Sequence, residues 1–157
     1  MKSQLTIILA ASLLFAVVSV GCGVKPESKS GGDAYRHEAQ SMALEEWVDG
    51  ELAYSAGDRT DWKKVELDKA SKLYFTLNVD LASSGAKLGV YNRVGVPLGS
   101  VTKREGSEAP ASLAVGAPSD GIYFIRIRAT GGDPTSYSVK ASLSADSGKG
   151  GSGLPDF

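Results

Sequence analysis

The sequence predicts an all-β fold, an antiparallel β-sandwich of about eight strands in a jelly-roll-like arrangement, on three observations. Apolar and polar residues alternate with period two in several short runs, most cleanly where Leu73, Phe75, Leu77 and Val79 alternate with Tyr74, Thr76 and Asn78. That period belongs to a strand with one face in a core and the other in water. Turn signals separate the runs at Ala56-Gly57-Asp58, Ser84-Gly85, Val94-Gly95, Asp120-Gly121 and Gly131-Gly132-Asp133-Pro134. The third observation is size: 157 residues, 42% hydrophobic and 22% charged, suffice for one globular domain and not for a second sizeable one.

In chain order, Lys2 precedes a nearly unbroken apolar run of fourteen residues, 5–18. A spanning helix needs roughly 20, so length and basic flank predict a secretory signal segment over residues 1–21. Ser19-Val20-Gly21-Cys22 closes it, and Cys22 is the only cysteine. This tetrapeptide resembles a bacterial lipobox, with Ser19 where Leu, Val or Ile is usual. The resemblance implies diacylglycerol on the Cys22 thiol, cleavage before that residue and acylation of the new amino group. The competing reading is ordinary cleavage after Gly21, which leaves a free thiol of the kind that secreted proteins usually avoid. Gly23 stands where Asp retains some Gram-negative lipoproteins in the inner membrane, which points to the outer membrane. Loss of Lys2 with the signal takes the formal charge from -1 to -2. Acyl chains rather than surface charge would then hold the protein at a membrane.

Residues 22–33, rich in Pro, Ser, Gly and charge, read as a flexible tether. Residues 34–145 read as the sandwich domain and residues 146–157 as a Gly/Ser-rich flexible tail. Within the domain, 34–46 predicts a short helix capped by Asp33, with Tyr35, Ala39, Met42 and Ala43 on one stripe. Strands are expected at 47–52, 62–67, 73–79, 87–91, 98–102, 112–115, 123–127 and 137–143, packed as two face-to-face antiparallel sheets.

Several of these pieces recur in a known order. Asp49-Gly50-Glu51-Leu52 is followed by Gly57-Asp58-Arg59-Thr60-Asp61-Trp62 and an alternating strand. Lys87-Leu88-Gly89-Val90-Tyr91-Asn92 comes next, with Val94-Gly95 as its turn. Asp120-Gly121-Ile122-Tyr123-Phe124-Ile125-Arg126-Ile127, Gly131-Gly132 and Tyr137-Ser138-Val139 complete the series. In order and spacing this resembles the bacterial pre-peptidase C-terminal (PPC) domain over about residues 47–143, departing from it at Lys63-Lys64, where that family has an aromatic residue. The resemblance implies a β-sandwich of the kind appended to secreted peptidases, where it binds substrate surfaces, and some relatives bind calcium. On the residues themselves, Asp61-Trp62 predicts a turn end that drops the Trp62 ring into the core. Gly121 predicts a tight entry into the strand headed by Tyr123.

Composition excludes several function classes. The near-neutral formal charge offers no footprint for nucleic acid. One His and one Cys leave no Cys/His zinc site and no internal disulfide. His37-Glu38-Ala39-Gln40-Ser41 opens like a zincin helix, but Ser41 stands where the second His is needed. Gly148, Gly150 and Gly153 satisfy G-x-G-x-x-G with no strand before them.

Two candidate constellations remain. Asp58 and Asp61, in one turn, are candidate calcium ligands, since Ca²⁺ takes hard oxygens from turns. The same carboxylates serve equally as caps for backbone N–H groups. Arg126, Arg128 and Lys140 form a candidate ligand face on condition that the last two strands pair, and Tyr74 and Tyr91 offer rings for sugar stacking. The expectation is a non-enzymatic protein, lipid-anchored in the bacterial cell envelope, whose sandwich is a binding or assembly module. Its partner would be an envelope protein, a peptidase or a polysaccharide, with no nucleic acid. The alternatives are an accessory or inhibitory partner of a separately encoded secreted peptidase, and a carbohydrate-binding module.

Overall fold

A computed structural model describes Lys25 and residues 27–145; the signal segment 1–21, Cys22 and the tail 146–157 lie outside the described residues. Nine strands are present among the described residues: β1 Gln40–Ser41, β2 Trp47–Leu52, β3 Thr60–Leu67, β4 Ser71–Val79, β5 Gly85–Tyr91, β6 Pro97–Lys103, β7 Ala111–Ala117, β8 Gly121–Gly131 and β9 Thr135–Ser142. They form a five-stranded sheet in the order β1-β3-β8-β5-β6 and a four-stranded sheet in the order β2-β9-β4-β7. Pairing is antiparallel throughout except between β1 and β3. The expected β-sandwich is thus present, with every expected strand at its place and β1 added at one edge.

The core is built by the period-two alternation. Leu73, Phe75 and Leu77 of β4, Leu88 and Val90 of β5, Tyr123, Ile125 and Ile127 of β8, and Val139 and Ala141 of β9 are all buried in one cluster. Gly121 enters β8 with φ of +110°, a conformation that favours glycine.

Three stretches differ from expectation. Residues 34–46 form no α-helix: one 3-10 turn spans Arg36–Glu38 and β1 follows it. Ala39 and Met42 of the expected stripe are buried, but Tyr35 and Ala43 are exposed. The segment instead satisfies its backbone on the open edge of β3. Trp62 N–H donates to the Asp33 carbonyl at 2.8 Å and Met42 N–H to the Lys64 carbonyl at 2.9 Å. An open sheet edge offers these groups more than an isolated short helix with few strong hydrophobes can. The far end of the expected tether is likewise docked. The Glu27 carboxylate accepts from the hydroxyls of Ser30 (2.7 Å) and Thr60 (2.8 Å) and from the Arg59 amide (3.3 Å), and both Ser30 and Asp33 are buried.

The third difference concerns β3. Trp62 does not enter the core; it lies half-buried on the outer face, and Asp61 and Lys63 point inward, 5% and 2% exposed. Both buried groups are satisfied. Lys63 Nζ lies 2.8 Å from Asp33 Oδ2 and donates to Gln40 Oε1 at 2.8 Å. From the opposite sheet, the Tyr137 hydroxyl donates to Asp61 Oδ2 at 2.5 Å. Tyr137 pairs with Gly50 in the β2–β9 register, and its ring occupies the space where a Gly50 side chain would stand. Burial, reinforced by the nearby Asp33 charge and opposed by the Tyr137 hydrogen bond, pushes the Asp61 carboxyl up to about 7. Burial and the Asp61 carboxylate hold the Tyr137 hydroxyl above the usual phenol range.

Two predictions follow from this polar seam. Gly50→Ala should force the Tyr137 ring away from Asp61 and destabilise the domain by about 1–3 kcal/mol in urea unfolding, as overpacking does; an unchanged midpoint would contradict it. The second concerns pH. The folded pKa of Asp61 lies above its unfolded value of about 3.9. Its stabilising contribution is therefore complete below about pH 4 and is lost as pH rises through about 7. Asp61→Asn keeps an acceptor for Tyr137 and does not titrate. The stability of this variant relative to wild type should rise between pH 5 and pH 8, and a difference independent of pH would be incompatible with a raised Asp61.

Candidate functional site

Because Asp61, Lys63, Val65 and Leu67 face inward, the alternate residues of β3 form part of the outer face of the five-stranded sheet. Trp62 and Lys64 stand beside Arg126 and Phe124 of β8, and these in turn beside Gly89 and Tyr91 of β5. Next to the Trp62 row, Thr60 pairs with Arg128 and Arg128 with Lys87. Gly89 leaves an open slot that the Tyr91 ring covers: a Cβ there would meet Tyr91 Oη at 3.1 Å.

The Tyr91 ring thereby reaches Trp62, with centroids 5.4 Å apart and planes inclined at 47°. The Arg126 guanidinium lies 5.6 Å from the Trp62 ring centroid and 5.3 Å from that of Tyr91, within cation–π range of both. In the next row the guanidinium of Arg36, from the 3-10 turn, lies 5.4 Å from the Phe124 ring centroid. The turn that replaces the expected helix thus adds a cation to this face.

Electrostatically the face is predominantly cationic. It carries Arg36, Lys64, Lys87, Arg126 and Arg128, with Glu66 on the same side of β3 and the Glu27 carboxylate at Thr60. Among the described residues the ion pairs are Lys63 with Asp33 and His37 with Glu38, so none of these five cations stands in an ion pair. Arg128 and Lys87 are exposed, whereas Trp62, Tyr91, Phe124 and Arg126 are half-buried. The arrangement is a half-buried aromatic cluster set with cations, suited to an extended anionic ligand.

The residues singled out in the sequence fall in different places. Asp58 is half-buried in the loop before β3, and its Oδ1 is buried with no partner among the described residues. Burial, then the charges of Asp33 and Glu27, push its carboxyl above the usual range, against a hydrogen bond from Ser30. Asp61 turns into the core toward Tyr137. Neither carboxylate caps the turn, and no three His, Cys, Asp or Glu side chains among the described residues converge to hold a metal ion.

The basic face is corrected. β8 and β9 do not pair but lie in opposite sheets, so Arg126 and Arg128 share a face while Lys140 stands on the far side of the sandwich, 5.2 Å from the Trp47 ring centroid. Tyr91 joins the Arg126 face; Tyr74 lies in the other sheet with Lys72 Nζ 5.3 Å from its ring centroid. His37 is 79% exposed and stacks on Tyr35 with centroids 5.8 Å apart. Cys22 lies outside the described residues. Sequence reasoning missed Trp62 as a surface residue and Lys87 and Arg36 as parts of the face. For Trp62 a signal existed, since counting by twos backward from Leu67 and Val65 puts Lys63 and Asp61 inside.

No family model and no curated protein sequence matches the chain. Solved structures do. The pre-peptidase C-terminal domain of collagenase from Bacillus anthracis matches with a TM-score of 0.56 at 13% identity, over 66% of this chain and 93% of that one. CorA, a surface-associated copper-binding protein of Methylomicrobium album BG8, matches with a TM-score of 0.53 at 9% identity, over 68% of this chain and 98% of that one. At such identities the likeness is one of fold: the chain has a β-sandwich of the kind seen in a PPC domain.

Proposed function

We propose that the protein is a non-enzymatic, lipid-anchored module of the bacterial cell envelope, at the outer membrane, whose sandwich binds an envelope component through the outer face of its five-stranded sheet. The observation that carries this reading is the Trp62–Arg126–Tyr91 cluster on a rigid sheet, with cations that stand in no ion pair among the described residues. General acid–base chemistry calls for a positioned and partly desolvated group. The one imidazole, His37, stands in solvent instead. Asp61, the carboxyl with a pKa near neutrality, is enclosed in the core.

Cys22 supplies the anchor in this reading. Since Glu27 is held at Arg59 and Thr60, the chain free to span from the lipid to the domain is short. Five residue steps reach at most about 18 Å when fully extended. The domain would therefore ride close to the bilayer, with the Thr60 end of β3 nearest to it.

Metabolic labelling with a palmitate analogue tests the anchor: wild type should take up label and Cys22→Ser should not, and equal labelling of both would refute it. The fold shared with a collagenase PPC domain favours, by analogy of fold alone, a second reading as accessory or inhibitor of a separately encoded secreted peptidase. Co-purification of a protease from gently solubilised envelopes would favour that reading over the first.

A further inference from the structure

We propose that the outer face of the five-stranded sheet binds a carboxylate-bearing polysaccharide, with Arg126 as the central contact and Arg128 and Lys87 as flanking ones. This rests on the reading of the protein as an envelope binding module and names the ligand class of that module.

The first argument is the arrangement of charge. The whole chain has a formal charge of -1, yet Arg36, Lys64, Lys87, Arg126 and Arg128 gather on one face, where they outnumber Glu66, and none of them stands in an ion pair among the described residues. Arg128 and Lys87 are direct cross-strand partners, and like charges directly opposite each other destabilise a sheet. An anionic ligand bridging Arg128 and Lys87 would offset that repulsion.

The second argument is the shape of the central cation. Arg126 is held against Trp62 and Tyr91, which restricts its planar fork before any ligand arrives. A fork so held suits the two oxygens of a carboxylate, a pairing stronger than neutral hydrogen bonds. The half-buried rings beside it add apolar surface to the contact.

The third argument is spacing. Arg126 and Arg128 are two residues apart on one strand, about 6.8 Å, and Lys87 lies one strand away from Arg128 at about 4.8 Å. Arg and Lys side chains at this pitch each reach one anionic group along an extended chain. The rings are half-buried, with the Trp62 and Tyr91 planes inclined at 47° to each other. A bilayer-binding face instead projects apolar side chains about 5–10 Å into the lipid boundary.

The test is affinity electrophoresis of the detergent-purified full chain through gels containing polygalacturonate, with dextran as the uncharged control. Wild type should be retarded by polygalacturonate and not by dextran, and retardation should weaken as salt rises. Arg126→Ala should weaken binding at least about tenfold, as loss of a charge-assisted pair does. Arg128→Ala and Lys87→Ala, at exposed positions that leave the core untouched, should each weaken it severalfold. Lys140→Ala, on the opposite face, should bind as wild type does.

Absence of retardation, equal loss in Lys140→Ala, or tighter binding to phosphatidylglycerol vesicles than to polygalacturonate would overturn the proposal. A protein that is labelled at Cys22 and resides in the envelope but ignores polygalacturonate defeats this inference alone. Loss of the anchor would defeat the localisation and leave the glycan result standing.

Discussion

The structure depends on the parity of one strand. β3 can run with Asp61 and Lys63 inside or with Trp62 and Lys64 inside, and a one-residue slip exchanges every side chain between core and solvent. By hydrophobicity at its first four positions the second choice is better. The first is adopted because Val65 and Leu67 share the parity of Asp61 and Lys63, and because the fold brings a partner to each buried polar group. Asp33 and Gln40 come from the chain that lies along the β3 edge, and the Tyr137 hydroxyl from the other sheet. A buried ion pair is weak evidence for stability, but removing one partner from it costs several kcal/mol. These contacts therefore act mainly as a constraint on register.

The outer face follows from that constraint. Once Trp62 is turned out, it stands across from Arg126, and Gly89 on the next strand leaves room for the Tyr91 ring to close from the other side. A ring at position 89 would have crowded this spot, and a longer side chain would have kept Tyr91 from Trp62. Core and platform are thus two faces of one register. The buried Lys63 sits among acidic groups, whereas the outer cations stand in no ion pair among the described residues.

The chain before β2 serves both faces. Glu27, Ser30 and Asp33 fasten it to the start of β3, and β1 covers the edge that β3 would otherwise leave open. Between these fixings the 3-10 turn carries Arg36 over Phe124. An amphipathic helix here would have buried its own backbone bonds and left the β3 edge exposed, the kind of edge that natural sheets cover.

The sequence by itself determined eight of the strands, the inward faces of all of these but the start of β3, and the sandwich. Period-two alternation with turns between is a local property, and burial of one face per strand is the only way to hide those side chains together. It also determined the lipobox-like segment at Cys22 and the count of one Cys and one His, since both are matters of residue identity. Only the tertiary structure decided which sheet each strand joins. That choice separated Lys140 from Arg126 and Arg128, because sequence neighbours β8 and β9 cross from one sheet to the other. It also turned Asp61 inward and Trp62 outward, because the burial of a carboxyl and an ammonium is tolerated only where non-local partners arrive, and Tyr137 lies 76 residues away from Asp61 along the chain. Local pattern reveals where a strand runs; what a polar side chain meets inside is settled by contacts that no local pattern records.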